Sequence, residues 1–370
     1  MAEPFRILAV VGARPNFMKI APIARELRRF PDAFHVSIVH TGQHYDEKLS
    51  EVFFDELGIP RPDVNLGVGS DSHAQQTAAI IAAFEPVLLA QRADLLLVVG
   101  DVNSTLACSL VASKLGVPIA HVEAGLRSFD RTMPEETNRV LTDQISDLLF
   151  TTEPSAEENL RREGIAGDKV HFVGNVMIDT LVAHRERARA LDVAGRLGLE
   201  RGHYGLMTLH RPSNVDRAEV FEGLLAAIGE IGREIPILFP VHPRTRATLE
   251  RSEAAAELVR SQRLRLLDPL GYLEFIGLME GSRVVLTDSG GIQEETTILG
   301  VPCLTLRENT ERPITVTHGT NRVVGTDPAN ILRGWREIDA ALRPQAPPPL
   351  WDGHAAGRIA DVLRQRAATS

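Results

Sequence analysis

One segment of the chain, residues 121–139, concentrates side chains that could do chemistry. It carries four acidic residues and three arginines, and it follows an apolar run, residues 117–120, that predicts a buried strand. The segment is too irregular to be helical before Pro134, a residue type that is tolerated in the first turn of a helix. Charged side chains crowded beyond the end of a buried strand seldom serve packing. We therefore expect a polar site that binds or transforms a ligand.

The acids of this region differ in how easily a structural role explains them. Glu123 directly follows the buried strand and has no obvious helix to cap, which favours a functional role. Glu135 and Glu136 could simply be favourable charges in the first turn of a helix. Asp101 follows another predicted strand and could equally cap the helix behind it. Position alone leaves these alternatives open.

Short apolar runs alternate with amphipathic helical stretches along most of the chain, which predicts βα units and a mostly parallel sheet. A chain of 370 residues exceeds what one hydrophobic core usually serves. We therefore predict two Rossmann-like, doubly wound α/β domains, residues 1–183 and 184–345, with the charged stretch His184–His203 as the boundary region. After a proline-rich break, residues 346–370 are predicted to form a helix that packs back on the first domain. The predicted strands are Phe5–Val11, Phe34–His40, Asp94–Val99, Val117–Val122, Leu148–Thr151, Val170–Val173, Tyr204–Leu209, Ile235–Val241, Leu264–Leu267, Arg283–Thr287, Pro302–Leu306 and Arg322–Val324.

Composition and charge argue against several classes of protein. The net charge of -9 disfavours broad binding of nucleic acid or anionic membranes, both of which need a basic face. No apolar run approaches the ~20 residues needed to span a bilayer. The N-terminus does not have the pattern of a signal peptide, so we expect a cytoplasmic protein. Cys108 and Cys303 stand alone in apolar segments and are expected to be reduced core residues.

Neither a metal nor a cofactor is expected. The histidines show no H-E-x-x-H motif or other metal-spaced cluster, which predicts that the chain has no metal site. The chain also lacks the complete G-x-G-x-x-G fingerprint and the Walker sequence, which disfavours NAD and ATP chemistry.

Almost every unusual polar cluster falls at the carboxyl end of a predicted strand, where open parallel sheets bind ligands. Two domains with these ends facing each other would form a deep cleft. His210 lies at one such end and is a candidate acid/base or phosphate-binding group, although a lone histidine is more often structural. His242 has the same position and a weaker case.

The turn Ser289-Gly290-Gly291 lies between a predicted strand and a predicted helix. Free backbone N–H groups in such a turn can hold phosphate, because glycine lets a ligand approach the main chain. Glu294 and Glu295 could accept hydrogen bonds from ribose hydroxyls beside it. A plain helix cap is the alternative interpretation of this turn.

Together these residues resemble one family, the non-hydrolysing UDP-N-acetylglucosamine 2-epimerases. The matching motifs run in order along nearly the whole chain, which makes them very specific for the family and less specific for the exact sugar. They are Gly12-Ala13-Arg14-Pro15 with Lys19-Ile20-Ala21-Pro22, Gly42-Gln43-His44, Gly100-Asp101, His121-Val122-Glu123-Ala124-Gly125-Leu126-Arg127, Pro134-Glu135-Glu136 with Asn138-Arg139, Gly174-Asn175 with Ile178-Asp179, Leu209-His210-Arg211, Pro240-Val241-His242, Asp288-Ser289-Gly290-Gly291-Ile292-Gln293-Glu294-Glu295 and Thr310-Glu311-Arg312-Pro313.

The resemblance implies a two-domain fold like that of the B-type glycosyltransferases (GT-B-like), a homodimer and no cofactor. It implies reversible conversion of UDP-N-acetylglucosamine (UDP-GlcNAc) into UDP-N-acetylmannosamine (UDP-ManNAc), which supplies units for surface polysaccharide. The C2 hydrogen of the sugar is not acidic, because no carbonyl is adjacent. Inversion becomes possible if the C1–O bond to UDP breaks, since carboxylates can stabilise the oxocarbenium-like charge at C1. Loss of the C2 proton then gives a 2-acetamidoglucal, to which UDP re-adds.

Carried onto this sequence, the resemblance implies that Asp101, Glu123 and Glu135 are the catalytic carboxylates and His210 the fourth essential group. We expect Glu123 or Asp101 to remove the C2 proton, Glu135 to act on the opposite face, and His210 to assist the departing diphosphate. The residues implied to bind the UDP-sugar are Arg14, Lys19, His242, Phe275, Ser289, Gly290, Gly291, Glu295 and Arg312, with Phe275 as a wall near the uracil.

The chain departs from the family pattern in two places. Leu270 stands where some members have a glutamine near the uracil, so contacts to the base would come from backbone groups alone. Asp46 and Pro212 lie where some bacterial members bind a second UDP-GlcNAc as an activator, which predicts weak or absent activation.

Four alternatives stay open on the sequence: an epimerase of a related UDP-2-acetamido sugar, a hydrolysing epimerase, a GT-B glycosyltransferase, and a non-catalytic sugar-nucleotide sensor. A glycosyltransferase would need an acceptor site and would not need three carboxylates around one sugar. A sensor would be expected to have lost some of the catalytic carboxylates or the histidine, all of which are present.

Overall fold

The computed structural model describes residues 3–42, 57–58, 60–241, 243–338 and 346–369. The chain divides into two α/β units, one formed by Met1–Ala183 with Pro349–Ser370 and the other by His184–Pro348. Each unit is built on one sheet in which every described pair of neighbouring strands is parallel. This confirms the predicted α/β class with two doubly wound units.

The sheet of the first unit has seven strands in the order β3-β2-β1-β4-β5-β6-β7. One of them, β3, was not predicted, because a two-residue edge strand has no alternation of apolar and polar residues that a sequence could reveal. The strands are β1 Phe5–Val11, β2 Phe34–His40, β3 Val64–Asn65, β4 Leu95–Val99, β5 Ile119–Ala124, β6 Leu148–Thr151 and β7 Val170–Phe172.

Helices connect these strands, and several begin with proline in the first turn, where its missing N–H removes no hydrogen bond. They are Arg14–Leu27, His73–Gln91, Asn103–Leu115, Pro134–Ile145, Pro154–Arg162 and Val176–Ala190, with a 3-10 turn at Gly167–Lys169. The last of these helices contains the division between the two units, so the predicted boundary region begins as helix.

The C-terminal segment belongs to the first unit. The indole Nε1 of Trp351 donates to the carbonyl oxygen of Thr152 at 2.9 Å. The carboxylate of Asp179 accepts from the backbone N–H groups of Ala355 at 3.1 Å and Ala356 at 2.7 Å, which fixes the start of the helix Ala355–Ala367. This arrangement confirms the predicted return of the terminal helix to the first unit.

The sheet of the second unit has six strands in the order β10-β9-β8-β11-β12-β13. They are β8 Gly205–Thr208, β9 Ile237–Pro240, β10 Leu264–Leu267, β11 Val284–Thr287, β12 Cys303–Thr305 and β13 Asn321–Val323. The helices of this unit after Val176–Ala190 are Val193–Arg196, Pro212–Val215, Ala218–Ile231, Pro243–Leu249, Glu253–Arg260, Tyr272–Gly281, Gly290–Leu299, Ile314–Thr317 and Pro328–Arg336.

The core of each unit lies between the sheet and the helices on its faces. Every residue of β4 and of β11 is buried, which is expected for parallel strands covered on both faces. The strand order reverses between β1 and β4 in the first sheet and between β8 and β11 in the second. Ligands of open parallel sheets bind beyond the carboxyl ends of the strands at such reversals. Within the described ranges, no helix combines the length and the apolarity that a membrane span requires.

Candidate active site

The turn after β4 forms the floor of a polar cluster in the first unit. Gly100 has a φ of +66°, and a Cβ atom at this position would lie 3.3 Å from Nζ of Lys19 and 3.6 Å from Oε2 of Glu123. Glycine therefore suits this turn for two reasons, its left-handed backbone and the charged side chains that pass over it.

Glu123 lies in an irregularity of β5. The pairing of β5 with β6 shifts register between Val122 and Ala124, and Glu123 itself has a φ of +70°, a conformation that is uncommon outside glycine. Its side chain is buried and forms an ion pair with Nζ of Lys19. Strained backbone of this kind is concentrated at functional sites, where the surrounding structure holds it in place.

Asp101 lies two residues before the helix Asn103–Leu115, whose N-cap residue, Val102, offers no capping side chain. The carboxylate of Asp101 accepts a hydrogen bond from the guanidinium of Arg139, and its carbonyl oxygen accepts one from Nδ2 of Asn138 at 2.9 Å. The helix that follows the acidic segment therefore holds Asp101 in place.

The two neighbouring acids at the start of that helix have different surroundings. Glu136 is buried and accepts hydrogen bonds from the backbone N–H groups of Ser128 and Phe129, both at 2.9 Å. Burial alone would raise the pKa of Glu136, but these N–H groups and the guanidinium of Arg139 lower it overall. Glu136 therefore fixes the loop, in agreement with a structural role. Glu135 is half-buried, and no hydrogen-bonding partner for its carboxylate occurs in the described part of the chain.

The start of the helix Arg14–Leu27 is tied to the same turn. Oδ1 of Asn16 accepts from the N–H of Ala13 at 2.9 Å, and Nδ2 of Asn16 donates to the carbonyl oxygen of Val99 at 3.1 Å. This brings the beginning of the helix, where Arg14 lies, to the carboxyl end of β4. Asn16 was not assigned a role from the sequence, although an asparagine in the first turn after Gly-Ala-Arg-Pro is a recognisable capping pattern.

His210 and Asp288 form the corresponding pair in the second unit. They follow β8 and β11, which are neighbours at the strand-order reversal, and Nδ1 of His210 lies 2.7 Å from Oδ1 of Asp288. The His210 side chain is 57% exposed whereas that of Asp288 is completely buried. A carboxylate that orients one ring nitrogen and leaves the other towards solvent is the arrangement of a general acid or base.

Asp288 was expected only as part of a phosphate-binding turn, and the structure gives it an orienting contact as well. Its carboxylate also accepts from the N–H of Arg211 at 3.0 Å and from Nδ2 of Asn214 at 3.1 Å. Burial would raise the pKa of Asp288, but the His210 side chain and the backbone N–H groups of Arg211 and His210 lower it overall. A signal for this pairing was available, since both residues follow strands of the same predicted sheet.

The turn at Ser289 leads directly into the helix Gly290–Leu299, and Ser289 makes no side-chain capping bond. A Cβ atom on Gly290 would lie 2.5 Å from Nη1 of Arg312, whereas one on Gly291 would meet nothing within 4 Å. Gly290 therefore makes room for the arginine, and Gly291 leaves the helix start open to a ligand. The first amides of a helix have no partner inside the helix and favour an anion.

Arg312 is buried between two carboxylates. Its guanidinium forms ion pairs with Glu294 and with Oε1 of Glu311, the latter at 2.7 Å. Glu311 also forms an ion pair with Arg307, with 2.8 Å between Oε2 and Nη2. These ion pairs hold the guanidinium of Arg312 against the first turn of the Gly290 helix, which is the position expected of a phosphate-binding arginine.

Glu295 is the most perturbed carboxyl group of this region. Burial raises its pKa to about 7, with a further contribution from the charge of Glu294 and an opposing one from the hydroxyl of Tyr272. That hydroxyl donates to Oε1 of Glu295 at 2.9 Å. Phe275 is half-buried one turn along from Tyr272 in the helix Tyr272–Gly281. Tyr272 was not among the site residues predicted from the sequence.

The predicted site residues thus form two groups, one in each unit. The first unit contains Arg14, Lys19, Asp101, Glu123 and Glu135, and the second contains His210, Phe275, Ser289, Gly290, Gly291, Glu295 and Arg312. His242 lies outside the described residues. Across the described ranges, no group of three or more histidine, cysteine, aspartate or glutamate side chains has the arrangement of a metal site.

The family model and two relatives with similar sequences are all named for 2-epimerases of UDP-sugars. A sequence model for UDP-N-acetylglucosamine 2-epimerase matches residues 25–364. A UDP-N-acetylglucosamine 2-epimerase of Methanococcus maripaludis is 44% identical over 335 residues, which are 89% of this chain and 90% of the relative. A UDP-2,3-diacetamido-2,3-dideoxy-D-glucuronate 2-epimerase of Pseudomonas aeruginosa is 41% identical over 362 residues, 97% of this chain and 99% of the relative.

The fold is also similar to a solved structure. The crystal structure of Methanocaldococcus jannaschii UDP-GlcNAc 2-epimerase in complex with UDP-GlcNAc and UDP superposes with a TM-score of 0.90 at 40% sequence identity, covering 98% of this chain and 100% of that chain. These similarities confirm the resemblance drawn from the motifs and the expected enzyme class, an epimerase. The chain therefore belongs to the UDP-N-acetylglucosamine 2-epimerase family.

Proposed function

We propose that this epimerase interconverts UDP-GlcNAc and UDP-ManNAc by eliminating UDP and adding it back. The observation that carries this proposal is the group of Lys19, Glu123 and Asp101 around Gly100, at the strand-order reversal of the first unit. The complex of the Methanocaldococcus jannaschii relative with UDP-GlcNAc and UDP supports the choice of substrate.

The proposed reaction balances without a redox step. A carboxylate takes the proton from C2, the C2–H electron pair becomes the C1=C2 double bond, and the C1–O bond breaks with its electrons on the diphosphate of UDP. The product of this half-reaction is 2-acetamidoglucal with bound UDP. In the second half-reaction the UDP oxygen attacks C1 while C2 receives a proton on the other face, which gives the epimer. Carboxylates near C1 stabilise the positive charge that develops as the bond breaks.

We assign the proton transfers to the first unit. Glu123 or Asp101 removes the C2 proton, and Glu135 acts on the opposite face. Lys19 lies against Glu123 and is proposed to orient that carboxylate while facing the diphosphate. The burial of Glu123 supports this assignment, because a water-poor environment strengthens its interaction with the charge at C1.

We assign leaving-group assistance and most of the nucleotide binding to the second unit. The helix start at Ser289, Gly290 and Gly291 and the guanidinium of Arg312 would bind the diphosphate, with His242 as a further phosphate contact. Arg14 of the first unit is proposed as another phosphate contact. Glu295 would accept hydrogen bonds from the ribose hydroxyls, and Phe275 would lie against the uracil. His210, oriented by Asp288, would assist the departing diphosphate.

A second substrate is favoured by one observation. The Pseudomonas aeruginosa relative, 41% identical over 97% of this chain, acts on a UDP-linked diacetamido uronic acid according to its name. The chemistry at C1 and C2 would be the same, so only the sugar would change.

Incubation in deuterated water tests the proposal. The protein is mixed with UDP-GlcNAc, and the sugar is followed by NMR. Deuterium at C2 in intact UDP-GlcNAc and UDP-ManNAc is the expected result. Free sugar together with UDP would indicate a hydrolysing epimerase. A parallel incubation uses the UDP-linked diacetamido uronic acid, and exchange with that sugar alone would show that it is the substrate in place of UDP-GlcNAc. No exchange with either sugar would contradict the proposal.

A matched pair of variants tests the site. Glu123→Gln removes the charge from the proposed catalytic group and should lose most C2 exchange while UDP binding survives. Glu158→Gln makes the same chemical change on an exposed helix face of the same unit and should leave exchange unchanged. Equal exchange rates in both variants would remove Glu123 from the mechanism.

We further propose that the protein is a cytoplasmic homodimer that supplies N-acetylmannosamine units for surface polysaccharide, and that its activation by its own substrate is weak or absent. Light scattering measures the mass in solution. A hyperbolic dependence of rate on UDP-GlcNAc is expected, and a sigmoidal curve, or a reverse reaction that requires added UDP-GlcNAc, would contradict weak or absent activation. Pro212 begins a short helix, and Asp46 lies outside the described residues.

A further inference from the structure

A buried group of charges lies behind the proposed catalytic carboxylates, and the mechanism above does not use it. We call it the Asp143 cluster; it contains His121, Arg127, Asp143 and Glu163. Nδ1 of His121 and Nη2 of Arg127 lie 2.6 and 2.7 Å from the two carboxylate oxygens of Asp143. Arg127 also reaches Glu163 at 2.6 Å. The side chains of His121 and Asp143 are completely inaccessible to solvent.

Asp143 holds β5 on both sides of Glu123. Its Oδ1 contacts the His121 side chain two residues before Glu123, and its Oδ2 accepts from the N–H of Gly125 two residues after it, at 3.0 Å. Gly125 has a φ of +80°, and a Cβ atom there would lie 2.5 Å from the carbonyl oxygen of Ala156. The carboxylate therefore secures the irregular backbone that gives Glu123 its direction.

His121 connects the Asp143 cluster to the turn that bears Asp101, the second proposed catalytic carboxylate. Its Nε2 lies 2.9 Å from the carbonyl oxygen of Gly100, the residue directly before Asp101. The N–H of Gly100 in turn donates to the carbonyl oxygen of Val122 at 3.1 Å. One imidazole thus connects the turn that bears Asp101 to the strand that bears Glu123.

The partners of His121 determine its protonation. A carbonyl oxygen can only accept a hydrogen bond, so Nε2 carries a proton. Asp143 forms an ion pair with the guanidinium of Arg127 at 2.7 Å and accepts from the N–H of Gly125 at 3.0 Å, so it is a carboxylate and also accepts from Nδ1 of His121. Both ring nitrogens therefore donate. A cationic His121 also balances the cluster, with two cations and two carboxylates, whereas a neutral ring would leave a net negative charge in the interior.

We propose that His121 and Asp143 are positioning residues that fix Asp101 and Glu123 relative to each other, and that His121 does so as an imidazolium. The proposal rests on the catalytic roles assigned to those two carboxylates. It predicts that the cluster affects the proton-transfer step and leaves the binding of UDP by the residues of the second unit unchanged.

The kinetic test uses His121→Gln and Asp143→Asn. The kcat for C2 exchange should fall about 10²-fold in each variant, the scale of a misplaced reacting group, with KM and the Kd for UDP nearly unchanged. His171→Gln is the matched control, because His171 lies in β7 of the same sheet, two strands away from β5, and should retain kcat. Circular dichroism and thermal melting establish which variants are folded. A folded His121→Gln enzyme with full kcat would overturn the positioning role.

The spectroscopic test uses ¹⁵N NMR of the unaltered protein, labelled with ¹⁵N-histidine, at pH 7.5. The signals of His121 are identified by their loss in His121→Gln. If that variant does not fold, His121→Asn serves the same purpose. Two protonated ring nitrogens are expected for His121, and one unprotonated nitrogen would overturn the imidazolium. In Asp143→Asn the ring should become neutral, because the amide can donate to Nδ1 while its oxygen accepts from Gly125. This measurement holds even if the unaltered protein shows no C2 exchange, a result that would refute the proposed function and leave the cluster intact.

Discussion

Replacing Glu295 with glutamine should abolish a pH dependence of nucleotide-sugar binding. Burial raises the pKa of Glu295 to about 7 in the protein without ligand. Ribose hydroxyls would donate to its carboxylate, so UDP-GlcNAc should bind the ionised form. With a pKa of about 7, roughly one tenth of Glu295 is ionised at pH 6 and roughly nine tenths at pH 8. The Kd should therefore fall about tenfold over this interval, or ~1.4 kcal/mol in binding free energy.

Titration calorimetry at pH 6, 7 and 8 measures this effect. The Glu123→Gln background prevents turnover, and UDP-GlcNAc is the ligand because its diphosphate diester does not titrate in this range. Adding Glu295→Gln should give a Kd that changes much less with pH. The glutamine keeps an oxygen for the Tyr272 hydroxyl, which lies 2.9 Å from Glu295, so the local structure should be retained. A tenfold change that persists with glutamine would refute the reasoning, as would the absence of any change with glutamate.

The same carboxyl group should affect stability with a defined sign. Its pKa is raised from 4.5 to about 7, so the protonated group favours the folded state. That contribution to the free energy of unfolding is fully present below pH 4.5 and is lost as the pH rises to about 7. Glu295→Gln should therefore gain stability relative to the unaltered protein between pH 5 and pH 8 in denaturant unfolding without ligand. A constant difference would contradict the raised pKa.

Three further substitutions test C2 exchange by the first unit, UDP binding by the second unit and the stability of the fold. Gly100→Ala forces an alanine into the left-handed backbone conformation, which costs about 1–2 kcal/mol, and places a Cβ atom 3.3 Å from Nζ of Lys19. The rate of C2 exchange should therefore fall at least about tenfold while the UDP affinity measured by calorimetry is retained. Full exchange would be a contrary result. Gly290→Ala should do the reverse and weaken UDP binding, because its Cβ atom would lie 2.5 Å from Nη1 of Arg312; an unchanged Kd would disprove this. Trp351→Phe removes the 2.9 Å hydrogen bond to Thr152 and should lower the free energy of unfolding by ~1–3 kcal/mol, measured by urea denaturation. An unaltered midpoint of the urea unfolding curve would show that the bond is dispensable.

The sequence could predict the strands and the edge of the sheet at which the site lies. Glu123 stood out because a carboxylate directly after a buried strand has few structural roles, and parallel strands bring all such ends to one edge. The C-terminal helix could be placed because a proline-rich break preceded it. These inferences depend on local pattern, which a single sequence contains.

Contacts between residues far apart in the chain could not be predicted in the same way. Asp143 is 22 residues from His121, so no spacing in the sequence indicates that pair. Asp288 is 78 residues from His210, and only their positions after strands of the same predicted sheet relate them. The ion pair of Asp101 is also long-range, because its partner, Arg139, lies 38 residues away.

The return of the C-terminal segment to the first unit has a consequence for biosynthesis. During translation the second unit, His184–Pro348, is complete before the segment that starts at Pro349 has been made. The first unit is begun earlier but lacks the Trp351 contact and the helix Ala355–Ala367 until the end of synthesis. The unit that carries Asp101 and Glu123 is therefore the last to be finished, so a chain that ends shortly before this segment would contain the whole second unit and an incomplete first unit.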